Sequence, residues 1–361
     1  MMRPDRRSLL LGSAALALAR PARAAQGLRV QDLRVQDLRD QGLRDQGLRD
    51  DAGRVLDRLR TPVARVFPAG PPAAILLYTL APDLLLGWPR AIRPAEKPYL
   101  SARAAELPEV GRLTGRGNTA NLEAVLASKP DLILDVGSTA ETYRSLADRV
   151  QDQTGIPYAL LDGRLAAAPA TYRSLGRLIG RDAEPLATLS EGILATVRER
   201  VARVPEGERP RVYLARGPRG LETARQGSIN VEALALMGAV NVAGPGGSLA
   251  QVSPEDVVAW APEVIVALDP AFAAAALQDP LWQATPALAA NRLHVSPSLP
   301  FGWVDFPPSV NRLLGLWWLG KILYPARFPE DIRAVARDLH GRLYHVTPDD
   351  AALDRVLAGA L

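Results

Sequence analysis

The strongest constraint on the fold is a short unit that occurs twice. Lys129-Pro130-Asp131 separates an amphipathic run, 121–127, from an apolar run, Leu-Ile-Leu-Asp-Val, at 132–136. Ala261-Pro262-Glu263 separates 254–260 from Val-Ile-Val-Ala-Leu at 264–268 in the same way. Proline ends a helix because it lacks an N–H and restricts the residue before it. A short unbroken apolar run bounded by turn signals reads as a strand buried on both faces, as in parallel sheets. Each unit is therefore helix, break, buried strand. Two copies predict two similar α/β halves with mainly parallel sheets.

The surrounding pattern agrees. In the first half, 63–67 is β-rich and 73–80 is an apolar helix with Pro71-Pro72 at its start. Residues 140–154 form an amphipathic helix with Tyr143, Leu146, Ala147 and Val150 on one face, and 158–161 a strand. A long helical stretch follows, 171–178 continued by 184–204, with Leu186, Leu189, Ile193, Val197 and Val201 at helical spacing. The second half offers strands at 211–215 and 292–295 and helices at 229–237, 254–260, 287–290 and 313–323. The expected domains are a first α/β lobe at 61–165, one connecting helix at 166–204, and a second α/β lobe with C-terminal helices at 205–361. A cleft between two such lobes is a favoured ligand site.

The first residues speak to compartment. Arg3, Arg6 and Arg7 precede an apolar run, 9–19, and Ala22-Arg23-Ala24-Ala25 follows. That is a charged n-region, a short h-region and a small-residue cleavage site, so 1–24 is expected to be a signal peptide cut near Ala24/Ala25. Arg6-Arg7-Ser8-Leu9-Leu10 also fits a partial twin-arginine signal, leaving the Sec and Tat routes both open. Without this segment the charges balance at 38 basic against 38 acidic. The high pI thus belongs mostly to the signal and gives no argument for nucleic acid. The chain has no cysteine, which excludes disulfides and a lipid-modified N-terminal Cys, so a soluble periplasmic monomer is expected. Residues 27–51 repeat a Leu-Arg-centred pentapeptide. A period of five matches neither helix nor strand, so 25–60 is expected to be a disordered linker.

The duplicated units carry a resemblance. Gly117-Asn118-Thr119-Ala120-Asn121-Leu122-Glu123-Ala124-Val125-Leu126-Ala127-Ser128-Lys129-Pro130-Asp131-Leu132-Ile133 resembles a segment of the periplasmic binding proteins that carry iron-siderophores, haem and vitamin B12 to ABC importers. Val252-Ser253-Pro254-Glu255-Asp256-Val257-Val258 with Ala261-Pro262-Glu263-Val264-Ile265 resembles the matching segment of their second lobe. The similarity runs from about residue 61 to about residue 325. It implies two α/β lobes joined by a single long helix, an ABC-transporter permease as partner, and docking on that permease through Glu123 and Glu255. It also implies capture of an iron complex: siderophore, haem or a similar metal chelate.

For the ligand, loops at strand ends supply the candidates. Arg112 and Arg116 lie in the glycine-rich 111–118 segment, Trp88 and Arg90 in Gly87-Trp88-Pro89-Arg90, Arg216 and Arg225 after the 211–215 strand, and Trp303 in the aromatic 300–306 stretch. Arginine pairs with carboxylate or catecholate oxygens and Trp covers a flat organic surface. A small oxyanion such as molybdate or tungstate, or a nickel or cobalamin chelate, would suit the same transport role. Three separated histidines, His294, His340 and His345, make no direct metal site, and no cofactor is expected. No nucleophile elbow, phosphate loop or zinc-protease motif occurs. An enzyme is not expected, and a secreted carboxylate hydrolase is the alternative of another class.

Overall fold

The computed structural model describes residues 48–115 and 120–360. In the first half, β1 (Val66–Pro68) leads into α1 (Pro71–Leu80), followed by α2 (Leu122–Ser128), β2 (Leu132–Gly137), α3 (Glu141–Thr154) and β3 (Tyr158–Asp162). The strands form a parallel sheet in the order β1-β2-β3, with Phe67 beside Ile133 and Leu134 beside Ala159. Helix α1 is buried from Ala73 to Thr79, which is why it is apolar on all sides. On α3, Ala147 and Val150 are buried, but Tyr143, in the first turn of the same face, is exposed beyond the edge of the core.

Residues 166–204, expected as one helix, are two: α4 (Ala168–Ile179) and α5 (Glu184–Ala202). Gly180 ends α4 in the left-handed region at φ 68°, and Pro185 opens the first turn of α5. Glycine at the stop and proline at the start are each placed where their backbone chemistry helps.

The second half runs through β4 (Arg211–Ala215), β5 (Glu222–Ala224), α6 (Glu232–Leu236), β6 (Val240–Asn241), β7 (Leu249–Gln251), α7 (Pro254–Trp260), β8 (Val264–Ala267), α8 (Pro270–Ala276) and β9 (Leu293–Val295). Helices α9 (Arg312–Leu323), α10 (Ile332–Tyr344) and α11 (Asp350–Leu357) close the chain. Strands β6-β4-β8-β9 form a second parallel sheet, and β5 with β7 forms an antiparallel ribbon beside it. No helix among the described residues is long and apolar enough to cross a membrane.

The two Pro units share a clamp. Lys129 (φ 46°) and Ala261 (φ 47°) both end their helices in the left-handed region, just before Pro130 and Pro262. The acid after each proline then binds the neighbouring strand. Asp131 Oδ2 accepts from the Arg65 N–H at 2.8 Å, and Glu263 Oε2 from the Arg211 N–H at 3.0 Å. Those same arginines reach back to the helix ends. Arg65 donates to the Ser128 and Lys129 carbonyls, and Arg211 to the Trp260 carbonyl. Each arginine thereby satisfies carbonyls that a helix C-terminus leaves unpaired.

Two expectations change at the chain's ends. The segment 49–60, assigned to a linker, belongs to the folded body, with Asp50, Arg54 and Leu56 buried. Asp50 Oδ2 and Asp51 Oδ2 accept from the Leu160 and Asp162 N–H groups at 3.0 Å each, along the open edge of β3. Those carboxylates satisfy an edge that would otherwise stay unpaired. The expected signal peptide, 1–24, and residues 25–47 lie outside the described residues. The C-terminal helices, placed with the second lobe, also bond to the first half. Tyr78 Oη donates to the Tyr344 carbonyl at 2.6 Å and Tyr99 Oη to the Ala352 carbonyl at 2.9 Å.

Candidate ligand cleft

In parallel α/β sheets, ligands bind outside the carboxyl ends of the strands. Here those ends meet across the two halves. Ser309, on the segment after β9, donates its hydroxyl to the Pro72 carbonyl after β1 at 2.9 Å. Arg312 donates to the Gly163 carbonyl after β3 at 2.9 Å and to the Ile229 carbonyl at 2.7 Å. Glu232, at the start of α6, accepts from the Leu165 N–H at 2.6 Å and the Ala166 N–H at 3.2 Å. Val136, Asp162, Arg164, Ser309 and Arg312 line the narrow crevice where the halves touch. A larger open groove of about 640 Å³ runs along α5 beside Trp317, but no strand-end loop lines it, so it is not the better candidate.

The 111–115 loop is strapped to this end of the first sheet. Leu113 and Thr114 donate their N–H groups to the Ala69 carbonyl at 2.7 and 3.0 Å. Thr114 Oγ1 donates to Asp135 Oδ1 at 3.0 Å, and Tyr158 Oη donates to Asp135 Oδ2 at 2.9 Å. Burial raises the Asp135 pKa, and the bonds from Tyr158, Thr114 and the Val136 N–H partly offset it. Arg112 is half-buried on this loop. Arg116 lies outside the described residues.

The remaining candidates divide by burial. Trp88 is 2% exposed and donates its indole N–H to the Ala104 carbonyl at 2.7 Å; it packs on Tyr78 and Phe301 and is a core residue. Trp303 is fully buried against His340. Neither presents an open face to a ligand in this conformation. Arg90 forks onto Glu96 at 2.9 and 2.6 Å. Burial alone would raise the Glu96 pKa, but Arg90 and Arg93 hold it below the usual carboxylate range. Arg216 is buried, with Nε 3.3 Å from Asp305 and Nη1 3.4 Å from Glu222. Its charge is neutralised from within. Arg225 is half-buried, crosses Gly246 and reaches the Pro245 carbonyl at 3.4 Å.

Three cleft features were not among the sequence candidates. Arg164, exposed after β3, chelates Asp162 through Nε and Nη2. Arg312 and Glu232, both on the second half, pair at 3.3 Å, and each also bonds to the 163–166 segment of the first half. Phe306 is 53% exposed over Arg216. The aromatic, proline-bounded 300–306 stretch pointed to this loop, but nothing in it separated the buried Trp303 from the exposed Phe306.

Glu123 and Glu255 occupy equivalent places. Each is exposed in the first turn of its helix, two residues after a side-chain cap. Asn121 caps α2 through the Ala124 N–H, and Ser253 caps α7 in a reciprocal box with Asp256. A carboxylate there is favoured by the positive helix end.

Two parallel α/β halves meeting at their strand ends, with a loop-lined cleft between them, define a two-lobed binding protein. The periplasmic binding protein family matches residues 93–299, and the chain belongs to it. No curated protein matches. Among solved structures, an ABC transporter solute binding protein from Sulfurospirillum deleyianum is 28% identical, covers 85% of this chain and 97% of its own, and superposes with a TM-score of 0.74. A molybdate periplasmic binding protein of Haemophilus influenzae is 21% identical over 83% of this chain and 98% of its own, with a TM-score of 0.68. The vitamin B12 binding protein of Vibrio cholerae is 22% identical over 74% of this chain and 98% of its own, with a TM-score of 0.57.

Proposed function

We propose that the chain is exported, cut near Ala24/Ala25, and captures a large anionic metal chelate, such as an iron-siderophore or haem, for delivery to an ABC permease. The distribution of arginine carries this reading. Arg216 and Arg312, the buried arginines at the junction, are already matched by Asp305, Glu222 and Glu232. Arg219 and Arg225, on loops at the strand ends, reach solvent, as does Arg164, which holds Asp162 at its side. Cations spread around a rim suit a bulky polyanion. A small oxyanion asks instead for a compact nest of unmatched donors. Among the described residues no His/Cys/Asp/Glu cluster is placed to hold a metal ion, so the ligand's own donors would hold it.

Glu123 and Glu255, one on each half, are the proposed contacts to basic residues of the permease.

The test is a thermal-shift series on the chain lacking residues 1–24, with ferric tris-catecholate, ferric trihydroxamate, haem, cobalamin, a nickel chelate and molybdate. A ligand at about 100 times its Kd adds about 2.7 kcal/mol, a rise of several degrees. A rise with molybdate and with no chelate would replace the chelate reading. E123A/E255A is expected to keep ligand binding and lose stimulation of the permease ATPase; unchanged stimulation refutes the docking assignment.

A further inference from the structure

We infer that Phe306 is a specificity-determining platform that selects chelates carrying electron-rich arene rings, such as catecholates or a porphyrin. The inference rests on the chelate reading of the cleft.

Phe306 combines two features that ordinary surface residues lack. Its ring is 53% exposed on a segment otherwise largely buried. Its backbone sits at φ 58°, in the left-handed region that a bulky side chain rarely adopts. Such strain persists only where the surroundings over-determine it, and it concentrates at ligand sites. Here the surroundings are visible. Asp305 Oδ1 accepts from the Phe306 N–H at 2.8 Å and from Asn230 Nδ2 at 2.9 Å. The Phe306 carbonyl accepts from the Gly302 N–H at 3.2 Å, and a Cβ at Gly302 would collide with the Asp305 carbonyl. The turn 302–306 is therefore closed on itself and aims the ring outward.

Beneath the ring lies Arg216, with its guanidinium carbon 4.4 Å from the ring centroid. Asp305 and Glu222 pair with that cation at 3.3 and 3.4 Å. A cation on one face of an arene is held by the negative face of its quadrupole. It draws electron density toward itself, so the outer face is left less negative. That face then favours offset stacking with an electron-rich, anionic ring and disfavours a second cation. The platform is also preorganised, so little freedom is lost when a ligand stacks on it. An arene-free chelate would meet only the rim arginines.

The experiment compares wild type, F306A and F306G by calorimetric titration with ferric tris-catecholate, haem and the aliphatic ferric trihydroxamate. Wild type is expected to bind one or both arene-bearing complexes more tightly than the trihydroxamate. F306A should weaken that binding by about three- to tenfold, the range expected for a lost aromatic pair, and change trihydroxamate binding by less than about twofold. F306G should lose the same affinity yet melt no lower than wild type, because glycine relieves the left-handed strain. A residue serving only to pack the loop would lower the melting temperature instead. Equal losses for all complexes, no loss in F306A, or binding of the trihydroxamate alone would each overturn the platform while leaving the chelate reading intact. Binding of none of the three would overturn both.

Discussion

His340 illustrates how a single buried residue sets the pH response. It is fully buried on α10, with its ring against Tyr99, Trp303 and Tyr344 at centroid distances of 5.8, 6.2 and 5.0 Å. Neither ring nitrogen finds a hydrogen-bond partner. Burial pushes its pKa down from 6.5 to about 4. The unfolded chain therefore binds this proton more readily than the folded one. The contribution is constant above pH 6.5, declines as pH falls from 6.5 to 4, and is level below. The full loss is on the order of 3 kcal/mol. Asp135, whose pKa burial raises, acts in the opposite direction, so the difference between wild type and a variant isolates the histidine. H340F should show a smaller fall in melting temperature than wild type between pH 7 and pH 4.5; parallel curves would remove His340 as the cause. At this scale the sequence was least informative. Trp88, Trp303 and Phe306 all sit in irregular loops, where no periodicity reports which face is buried. Arg216 drew notice as a cation, but its partner Asp305 is 89 positions away, and only the fold brings them together.

Elements were more legible, because proline and glycine punctuate this chain. Residues 211–215 and 254–260 match β4 and α7, and the two Pro units lie where expected. The misses have physical causes. The ribbon of β5 and β7 is stabilised by pairing between distant strands, and its glycine-rich connection carries no alternation. The split between α4 and α5 turns on Gly180, one residue in a helical pattern. The 49–60 segment was misread because its anchorage is polar and invisible to hydrophobic period. Asp50 shows how strong that anchorage is. Its side chain is fully buried, binds the Leu160 N–H, and lies 3.2 Å from Arg54 Nη1, while Arg54 also reaches the Tyr158 carbonyl at 2.5 Å. D50A leaves the buried Arg54 with the exposed Asp148 as its other acidic contact. A destabilisation of about 3 kcal/mol is expected from breaking a buried pair. With the β3 edge opened, concentration-dependent self-association is expected as well. Urea denaturation and light scattering check the two effects. A shift in midpoint worth less than about 0.5 kcal/mol, the range of surface substitutions, would show that 49–60 merely rests on the sheet.

At the scale of the molecule, the question is what fixes the angle between the halves. The sequence suggested a single helix as the stiffener. The structure adds a polar knot beside the cleft. Arg312 is fully buried and donates to the Ser309, Ile229 and Gly163 carbonyls. Glu232 matches its charge while accepting the Leu165 and Ala166 N–H groups from the first half. Burial lowers the Arg312 pKa, with Glu232 and Asp305 opposing that shift. Every bond that ends on Gly163, Leu165 or Ala166 must break if the halves swing apart there, so the knot resists opening at the crevice. R312M removes the bonds to both halves and leaves Glu232 without its counter-charge. The ligand-free protein should then scatter X-rays as a more open particle, with a larger change on ligand addition. Affinity should fall in proportion to the lost closed fraction. E232Q leaves the buried guanidinium without its carboxylate and should destabilise more, by about 3–5 kcal/mol. The double variant R312M/E232M should recover part of that loss, because a buried pair replaced as a unit leaves no orphan charge. Identical scattering of wild type and R312M, with and without ligand, would assign interlobe stiffness to α4 and α5 alone.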